Sequence, residues 1–444
     1  MRPFPTTKVR PPRSAATVIE RPRLEAELEG ARQRLRATLL VAPAGYGKTT
    51  AVSAWLRRTG HDAAWFMLDP GDDLGTDPDA LVAAWLTAAL QAAGAWPADT
   101  ATPSGPTRDP SAVAAACEAS GWRGVIVFDD AHHLGAAAAA SLATWIERAP
   151  EGVHTVVSAR HTPPLPVARW LARGAAEVIG VETLRLRADE GRALLQRLLP
   201  ELVPAHADAL ITRVEGWPAG VLLAARSLRG KADPGDVIER FTGTDRYVLA
   251  FLTEEVLLRL PDDLHQAVLL LAGEPRLCAG LVDAMTRSSG GAALLARLEE
   301  HEAFLERLDV VDEDGPWFRF PDFFRDLLAH RLTLTHPDLP AELAGRAAAW
   351  WEERALRAGR EAVLTRARAA QTATSPGAPE GEPLTEREHQ VLAMLVVGAT
   401  TKAVARELGL SPNTVKTHTR HLFEKLGVRT RTQAAAVARR RGLV

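Results

Sequence analysis

The spacing of apolar and polar residues changes several times along this chain. In its first part, short apolar runs recur at residues 38–42, 63–68, 125–128 and 155–158, with longer helix-period stretches between them. A fifth segment, residues 182–187 (ETLRLR), alternates apolar and polar side chains. Short runs separated by helices predict a parallel sheet covered by helices. From about residue 188 to 370 the period is almost wholly helical. The exception is residues 308–320, LDVVDEDGPWFRF, which predict a hairpin turning at Asp314 and Gly315. Residues 371–383, QTATSPGAPEGEP, have no apolar period and read as a flexible linker. Helical spacing then resumes to the C-terminus. No repeat of fixed period occurs, and the alanine run at residues 136–140 predicts a helix rich in small residues.

The first apolar run leads into APAGYGKTT, residues 42–50. A glycine-rich turn between a strand and a helix that opens with Lys-Thr is a phosphate-binding loop. Gly45 and Gly47 let the backbone of Ala44, Gly45, Tyr46 and Gly47 turn its N–H groups toward phosphate oxygens. Lys48 supplies a point charge, Thr49 a hydroxyl for Mg²⁺, and Thr50 completes the set. The helix N-terminus adds its partial positive charge. Ala42 stands where the strict pattern has glycine. The run at residues 124–130, GVIVFDD, places carboxylates at the end of a buried strand. Asp129 is expected to hold Mg²⁺ through water, and Asp130 to orient an attacking water. Arg160, at the end of TVVSAR, is a candidate sensor of the γ-phosphate. ATP or ADP with Mg²⁺ is therefore the expected ligand. His132 and His133 have no further His or Cys at ligand spacing and predict no metal site. Asp69, Asp72, Asp73, Asp77 and Asp79 lack the glycine and final glutamate of a calcium loop.

The last segment has the spacing of a helix-turn-helix. Thr385 and Glu388 form a capping-box pair, and a helix follows to about Val397, broken at Gly398. A second helix, residues 401–408, stops at Gly409. Ser411 caps a third, with Pro412 at its first position. At ~100° per residue, Val415, Thr419, Leu422 and Leu426 face inward. Asn413, Thr417 and Arg420 centre the opposite face, flanked by Thr414, Lys416, His418 and His421. This pattern suits a recognition helix in a major groove, with Asn413 matched to adenine and Arg420 to guanine. Lys416, Lys425 and Arg429 are candidates for phosphates, which position without specifying. One such helix covers a short half-site, so self-association on paired half-sites is expected.

Charge sharpens this division. The formal net charge is only −2, yet residues 383–444 hold 3 Lys and 8 Arg against 4 Glu, a local net of +7. A basic end on an acidic body fits a separate module for double-stranded DNA. At 444 residues the chain exceeds one core. Its two cysteines, Cys117 and Cys278, form no disulfide framework and suit a reducing cytosol. The first residues carry no apolar leader, and residues 267–272 are too short to span a bilayer. A cytoplasmic protein without membrane contact is expected.

The residues also resemble a family. LTEREHQVL, then Lys402 with Val404-Ala405, then SPNTVKTH match the LuxR-type helix-turn-helix, while APAGYGKTT, FDDAHHL, SAR and EGWPAG resemble the STAND class of P-loop ATPases. Together they are similar to the large ATP-binding LuxR-type regulators, over residues 7–354 and again from 384 to the end. The resemblance implies a multidomain α/β plus α architecture. Its parts are a P-loop domain (1–187), a helical domain (188–255), a winged-helix domain (256–335), a remnant of a helical-repeat sensor (336–370), a linker (371–382) and a four-helix LuxR-type reader (383–444). It also implies a switch in which ADP keeps a closed monomer and ATP favours self-association on DNA, with RNA polymerase as a further contact and at most slow ATP hydrolysis. Arg21 is implied to lie along the base and Pro218 near the nucleoside. Two departures stand out. Pro321 and Asp322 replace the family's winged-helix histidines, one of which touches the ADP phosphate. Most of the sensor is also missing. The alternative is a constitutive DNA-binding regulator whose nucleotide is only structural.

Overall fold

A computed structural model describes residues 4–12, 18–72, 77–95, 109–231, 233–239, 241–301, 303–372, 384–396, 399, 401–426, 428, 434, 437–438 and 443. It divides into two units, residues 1–348 and 349–444. Among the described residues, no helix is long and apolar enough to cross a membrane.

In the first unit a helix, Pro22–Arg34, leads into a parallel sheet. Its strands are β1 (Ala37–Val41), β2 (Ala63–Met67), β3 (Gly124–Asp129), β4 (Val153–Ala159) and β5 (Ala176–Ile179), arranged in the order β2-β3-β4-β1-β5. Every residue of β3 and β4 is buried, as expected for strands covered on both faces. Helices Lys48–Thr59, Pro78–Ala92, Pro110–Ser120 and Ala136–Arg148 accompany the sheet. Phe66, Trp85, Phe128 and Trp145 fill the core. Because β4 lies between β1 and β3, the loop after β1, the acidic end of β3 and Arg160 after β4 emerge side by side at one edge of the sheet.

The fifth strand is not where the alternation at residues 182–187 put it. Leu184 and Leu186 are indeed buried and their neighbours less so. However, Val181–Leu184 is a single helical turn beyond Gly180, and Leu186 makes one backbone bond, its N–H donating to the Gly216 carbonyl at 2.8 Å. Alternating burial here comes from packing without a strand ladder. The true edge strand, β5, is shorter and half exposed.

Among the described residues, five helices follow between Ala188 and Glu255. Pro204 and Pro218 sit in the first turn of two of them, where a missing N–H costs no hydrogen bond. Next come helices Asp262–Leu271, Ala279–Thr286 and Gly291–Glu300, then the hairpin of β6 (Glu306–Asp312) and β7 (Gly315–Arg319). The hairpin turns at the expected Asp-Gly, with Gly315 at φ 88°. Leu277 forms a single antiparallel bridge to Phe318 of β7. Residues 336–370 fall largely within one helix, Leu339–Thr372, whose last two residues take in the start of the expected linker. The remainder of that linker lies outside the described residues.

Buried His154 on β4 bears on acid stability. Its Nδ1 donates to the Leu35 carbonyl and its Nε2 accepts from the Thr38 hydroxyl, both at 2.9 Å. Burial holds its pKa down to about 4, against 6.5 when exposed. The unfolded chain therefore binds the proton more tightly, so stability present above pH 6.5 is lost as pH falls toward 4. The full loss is on the order of 3 kcal/mol. Comparing wild type with His154→Gln in denaturant titrations at pH 7 and 4.5 isolates this effect. An equal change in both proteins would contradict it.

Candidate functional site: a phosphate loop and a DNA reader

The loop after β1 is built as a phosphate cradle. Gly45 and Gly47 have φ of 80° and 76°, a left-handed conformation that glycine adopts readily. A Cβ on Gly45 would also lie 2.7 Å from both Trp217 Nε1 and Ala219 Cβ. Lys48 opens the following helix and is nearly buried. Its Nζ donates to the carbonyls of Ala42 at 2.6 Å and Pro43 at 3.1 Å, curled against the loop. The Thr49 hydroxyl donates to Asp129 Oδ1 at 3.0 Å, and Ser158 donates to the same oxygen. This closes the expected pairing of the loop with the acidic strand.

Asp129 is fully buried, and its Oδ2 has no hydrogen-bond partner. Burial pushes its pKa up to about 6, with Asp130 adding to the rise and the Ser158 and Thr49 hydroxyls and Lys48 opposing it. A buried carboxylate oxygen left unpaired beside a threonine hydroxyl fits a divalent cation carried in with the phosphates. Thr49 and Asp129 are the residues that would hold it. Asp130 adopts φ 58°, with its N–H donating to Ser158 Oγ at 3.2 Å. Among the described residues, no group of three or more His, Cys, Asp or Glu could hold a metal by itself.

An apolar cavity of about 280 Å³ opens beside the loop, lined by Ile19, Gly47, Thr50, Leu186, Pro218 and Leu222 among others. Its place next to the cradle suits a nucleoside. Arg21 lines it too, but its guanidinium is turned away, toward the carbonyl of Arg185 at 2.8 Å and Glu190 Oε2 at 3.1 Å. The side that Arg21 turns to this cavity is therefore its aliphatic stem, because the buried Glu190 holds its charge. Tyr46 likewise buries its ring against Phe304, so only its backbone N–H is available to phosphate.

Sequence reasoning missed Trp217. Fully buried, it donates from Nε1 to the Ala44 carbonyl at 3.2 Å, while the Ala219 N–H bonds the Gly45 carbonyl at 3.0 Å. On its far side it stacks on Phe323, with ring centroids 4.8 Å apart and planes 4° from parallel. The helical segment thus grips the phosphate loop with one face and the winged helix with the other. Asp322, which stands in place of a histidine, turns elsewhere. Its carboxylate is exposed and pairs with Arg325 at 3.0 Å, and its N–H donates to Glu215 Oε1 at 2.8 Å. A second tie is a ring of alternating charges: Arg185 pairs with Glu306 and Glu215, and Arg319 with the same two carboxylates. Its members come from the P-loop, helical and winged-helix segments.

Arg160 does not point freely at the cradle. It donates to Glu255 Oε2 at 2.8 Å and to the Glu255 carbonyl at 3.2 Å. Next to it, the rings of His132 and His133 lie 4.0 Å apart. Burial, followed by the neighbouring cations, holds the pKa of His132 down to about 2. The acidic loop is structural: Asp69 and Asp72 pair with Lys8, and Asp77 caps the next helix by accepting from the Ala80 N–H. Asp73 lies outside the described residues.

In the second unit, Thr385 and Glu388 make both bonds of the capping box, at 2.8 and 3.3 Å. Helices Glu386–Val396, Thr401–Glu407 and Pro412–Leu426 follow. Val415, Leu422 and Leu426 enter a core with Val391, Leu392, Leu395 and Val404, and Thr419 is half-buried, bonding the Val415 carbonyl. Thr414, Thr417, Arg420 and His421 are exposed, and His418 is half-exposed. Ser411 caps the helix by accepting from the Thr414 N–H at 3.1 Å. Asn413 and Lys416 lie on this helix, with their side chains outside the described set; Arg429 is outside it altogether. Lys425 differs from expectation. Its Nζ bonds the buried Glu388 carboxylate at 3.0 Å, which makes it an internal strut.

Two family models match the chain: the bacterial regulatory proteins of the luxR family over residues 382–438, and the MalT winged helix domain over residues 253–340. The chain is 31% identical over 362 residues to the serine/threonine-protein kinase PknK of Mycobacterium tuberculosis, covering 79% of this chain and 32% of that one. It is 28% identical over 341 residues to the HTH-type transcriptional regulator MalT of Cronobacter sakazakii, covering 74% and 36% respectively. The chain thus spans about a third of the length of these relatives. With a P-loop sheet, a MalT-type winged helix and a LuxR-type helix-turn-helix in that order, the chain belongs to the large ATP-binding LuxR-type family.

Proposed function

We propose that this chain is a transcriptional regulator that binds double-stranded DNA through its C-terminal helix-turn-helix, with ATP or ADP and Mg²⁺ at the phosphate loop controlling self-association. The observation that carries this reading is the double contact of Trp217. Phosphates that reshape the loop at Ala44 and Gly45 press on the same indole that stacks against the winged helix. In this reading Lys48, Thr49 and Asp129 bind nucleotide and metal, Arg160 and Asp130 act on the γ-phosphate, and the exposed face around Thr417 and Arg420 reads bases. The protein acts in the cytoplasm, and hydrolysis is slow and serves the switch.

The test is DNA affinity and particle mass for the full chain without nucleotide, with ADP and with ATPγS, on a site selected from random duplexes. ATPγS is expected to raise both. Lys48→Ala is expected to abolish the difference by weakening nucleotide binding at least about a hundredfold, the worth of ~2.7 kcal/mol of charge-assisted contact. Equal DNA affinity in all three states would leave a constitutive regulator with a structural nucleotide. Binding itself should be strongly electrostatic. For roughly six to ten phosphate contacts, affinity falls on the order of 10³-fold or more between about 50 and 200 mM salt. A flat salt profile would argue against the reader.

A further inference from the structure

Beside Ala44 lies a second cavity of about 320 Å³, more polar than the first, whose walls include Arg160, His132, His161, Arg259 and Glu255. Its lining shares no residue with that of the apolar cavity beside Pro218 and Leu222. Its lining is rich in cationic and donor groups. His132 is more than nine-tenths buried, and neither of its ring nitrogens makes a hydrogen bond. Arg160 follows directly on β4, whose Ala159 carbonyl accepts from the Ala42 N–H at 3.3 Å. It therefore starts next to the loop. One anionic side chain, Glu255, meets both arginines there. Glu255 Oε2 lies 2.8 Å from Arg160 and 3.0 Å from Arg259. Glu255 ends the helix Arg246–Glu255 and falls within the stretch matched by the winged-helix model.

We propose that this cavity is the seat of the terminal phosphate of a nucleoside triphosphate, and that Glu255 is a built-in stand-in for that phosphate. This rests on the nucleotide-binding reading above. A carboxylate oxygen between two guanidinium groups presents them with the charge and acceptor geometry that a phosphate oxygen would bring. A diphosphate does not reach the cavity and leaves the Arg160–Glu255 pair closed. A triphosphate must displace Glu255 to engage Arg160. That displacement weakens triphosphate relative to diphosphate, and it releases the end of a helix that leads into the winged helix. His132 and His161 supply ring nitrogens to the incoming oxygens.

The experiment measures dissociation constants of Mg-ADP and Mg-ATPγS by calorimetry on the full chain. Wild type, Glu255→Gln, Arg160→Ala and the double variant are compared. Glu255→Gln keeps the side-chain shape and removes the charge. It is expected to tighten ATPγS by about fivefold or more, the scale of a partly exposed charge pair, and to leave ADP unchanged. In the Arg160→Ala background the same substitution should no longer favour ATPγS. Glu255→Gln moving both nucleotides equally, moving neither, or acting alike with and without Arg160 would overturn the proposal while leaving nucleotide binding intact. A wild-type chain that binds neither nucleotide would overturn the underlying reading and this proposal with it.

Discussion

Trp217→Ala is expected to lower the stability of the first unit by about 3–5 kcal/mol, the usual cost of truncating a buried tryptophan. Few side chains here hold so much. The indole has no exposed surface and packs edge-on to Phe251 and Phe304 at 5.5 and 5.8 Å as well as flat on Phe323. It also explains two glycines, since a Cβ on Gly45 or Gly220 would lie within 2.9 Å of the indole. Truncation leaves a cavity at the meeting point of the loop and the winged helix, and leaves the buried Ala44 carbonyl without its donor. Trp217→Phe separates these effects. It keeps an aromatic ring against Phe323 but loses the N–H, and should cost nearer ~1 kcal/mol, the net worth of one hydrogen bond, plus a smaller packing loss. Denaturant unfolding of the full chain checks both. Nucleotide affinity should fall in Trp217→Ala more than in Trp217→Phe, because only the first frees the loop from the winged helix. An alanine variant with an unchanged unfolding midpoint would show that the stack bears no load.

What the sequence disclosed, and what it hid, follows from how far apart the interacting groups lie. The phosphate loop was legible because its chemistry needs glycines, a lysine and a threonine within a few consecutive residues, and the Asp-Gly hairpin because a tight turn fixes its own residues. The capping box and the inward face of the reading helix were legible for the same local reason. Trp217 was not: in sequence it is one of 11 tryptophans, and its partners are Ala44 and Phe323. The charge ring escaped notice because Arg185 meets Glu306 from 121 positions away and Arg319 meets Glu215 from 104. Arg21 and Arg160 line cavities beside the phosphate loop, but nothing local told that Glu190 and Glu255 hold their guanidinium groups. The misplaced fifth strand shows the converse limit. Alternating burial at residues 182–187 is real, yet periodicity reports which side chains are buried and not whether the backbone has a partner strand. The replacement of the winged-helix histidines also takes on a different meaning. Asp322 turns to Arg325, and the neighbouring Phe323 makes the link to the loop through Trp217.

The largest contrast in the reader is expected between two cations five positions apart on one helix. Arg420 is exposed, on the face opposite the buried Val415 and Leu422. Arg420→Ala should therefore leave unfolding unchanged and cost about 1–3 kcal/mol of DNA affinity, with relaxed preference at one base pair, as for an arginine that reads guanine. Lys425 should behave in the opposite way. Its partner Glu388 is buried and also closes the capping box on the Thr385 N–H. Burial pushes the Glu388 pKa up, but the bond from the Thr385 N–H and then the Lys425 ammonium outweigh it and hold the carboxylate below its usual range. Lys425→Met removes the ammonium and leaves that carboxylate facing an apolar neighbour, which should destabilise the reader by about 2 kcal/mol, less than for a pair sealed from water. Lys425→Met with Glu388→Gln should recover much of the loss, because no buried charge then remains unpaired. If Lys425 instead served a phosphate, Lys425→Met would leave stability intact and reduce the salt slope of DNA binding by about one contact. Thermal unfolding of the full chain and a salt titration of each variant on one duplex decide between the two roles.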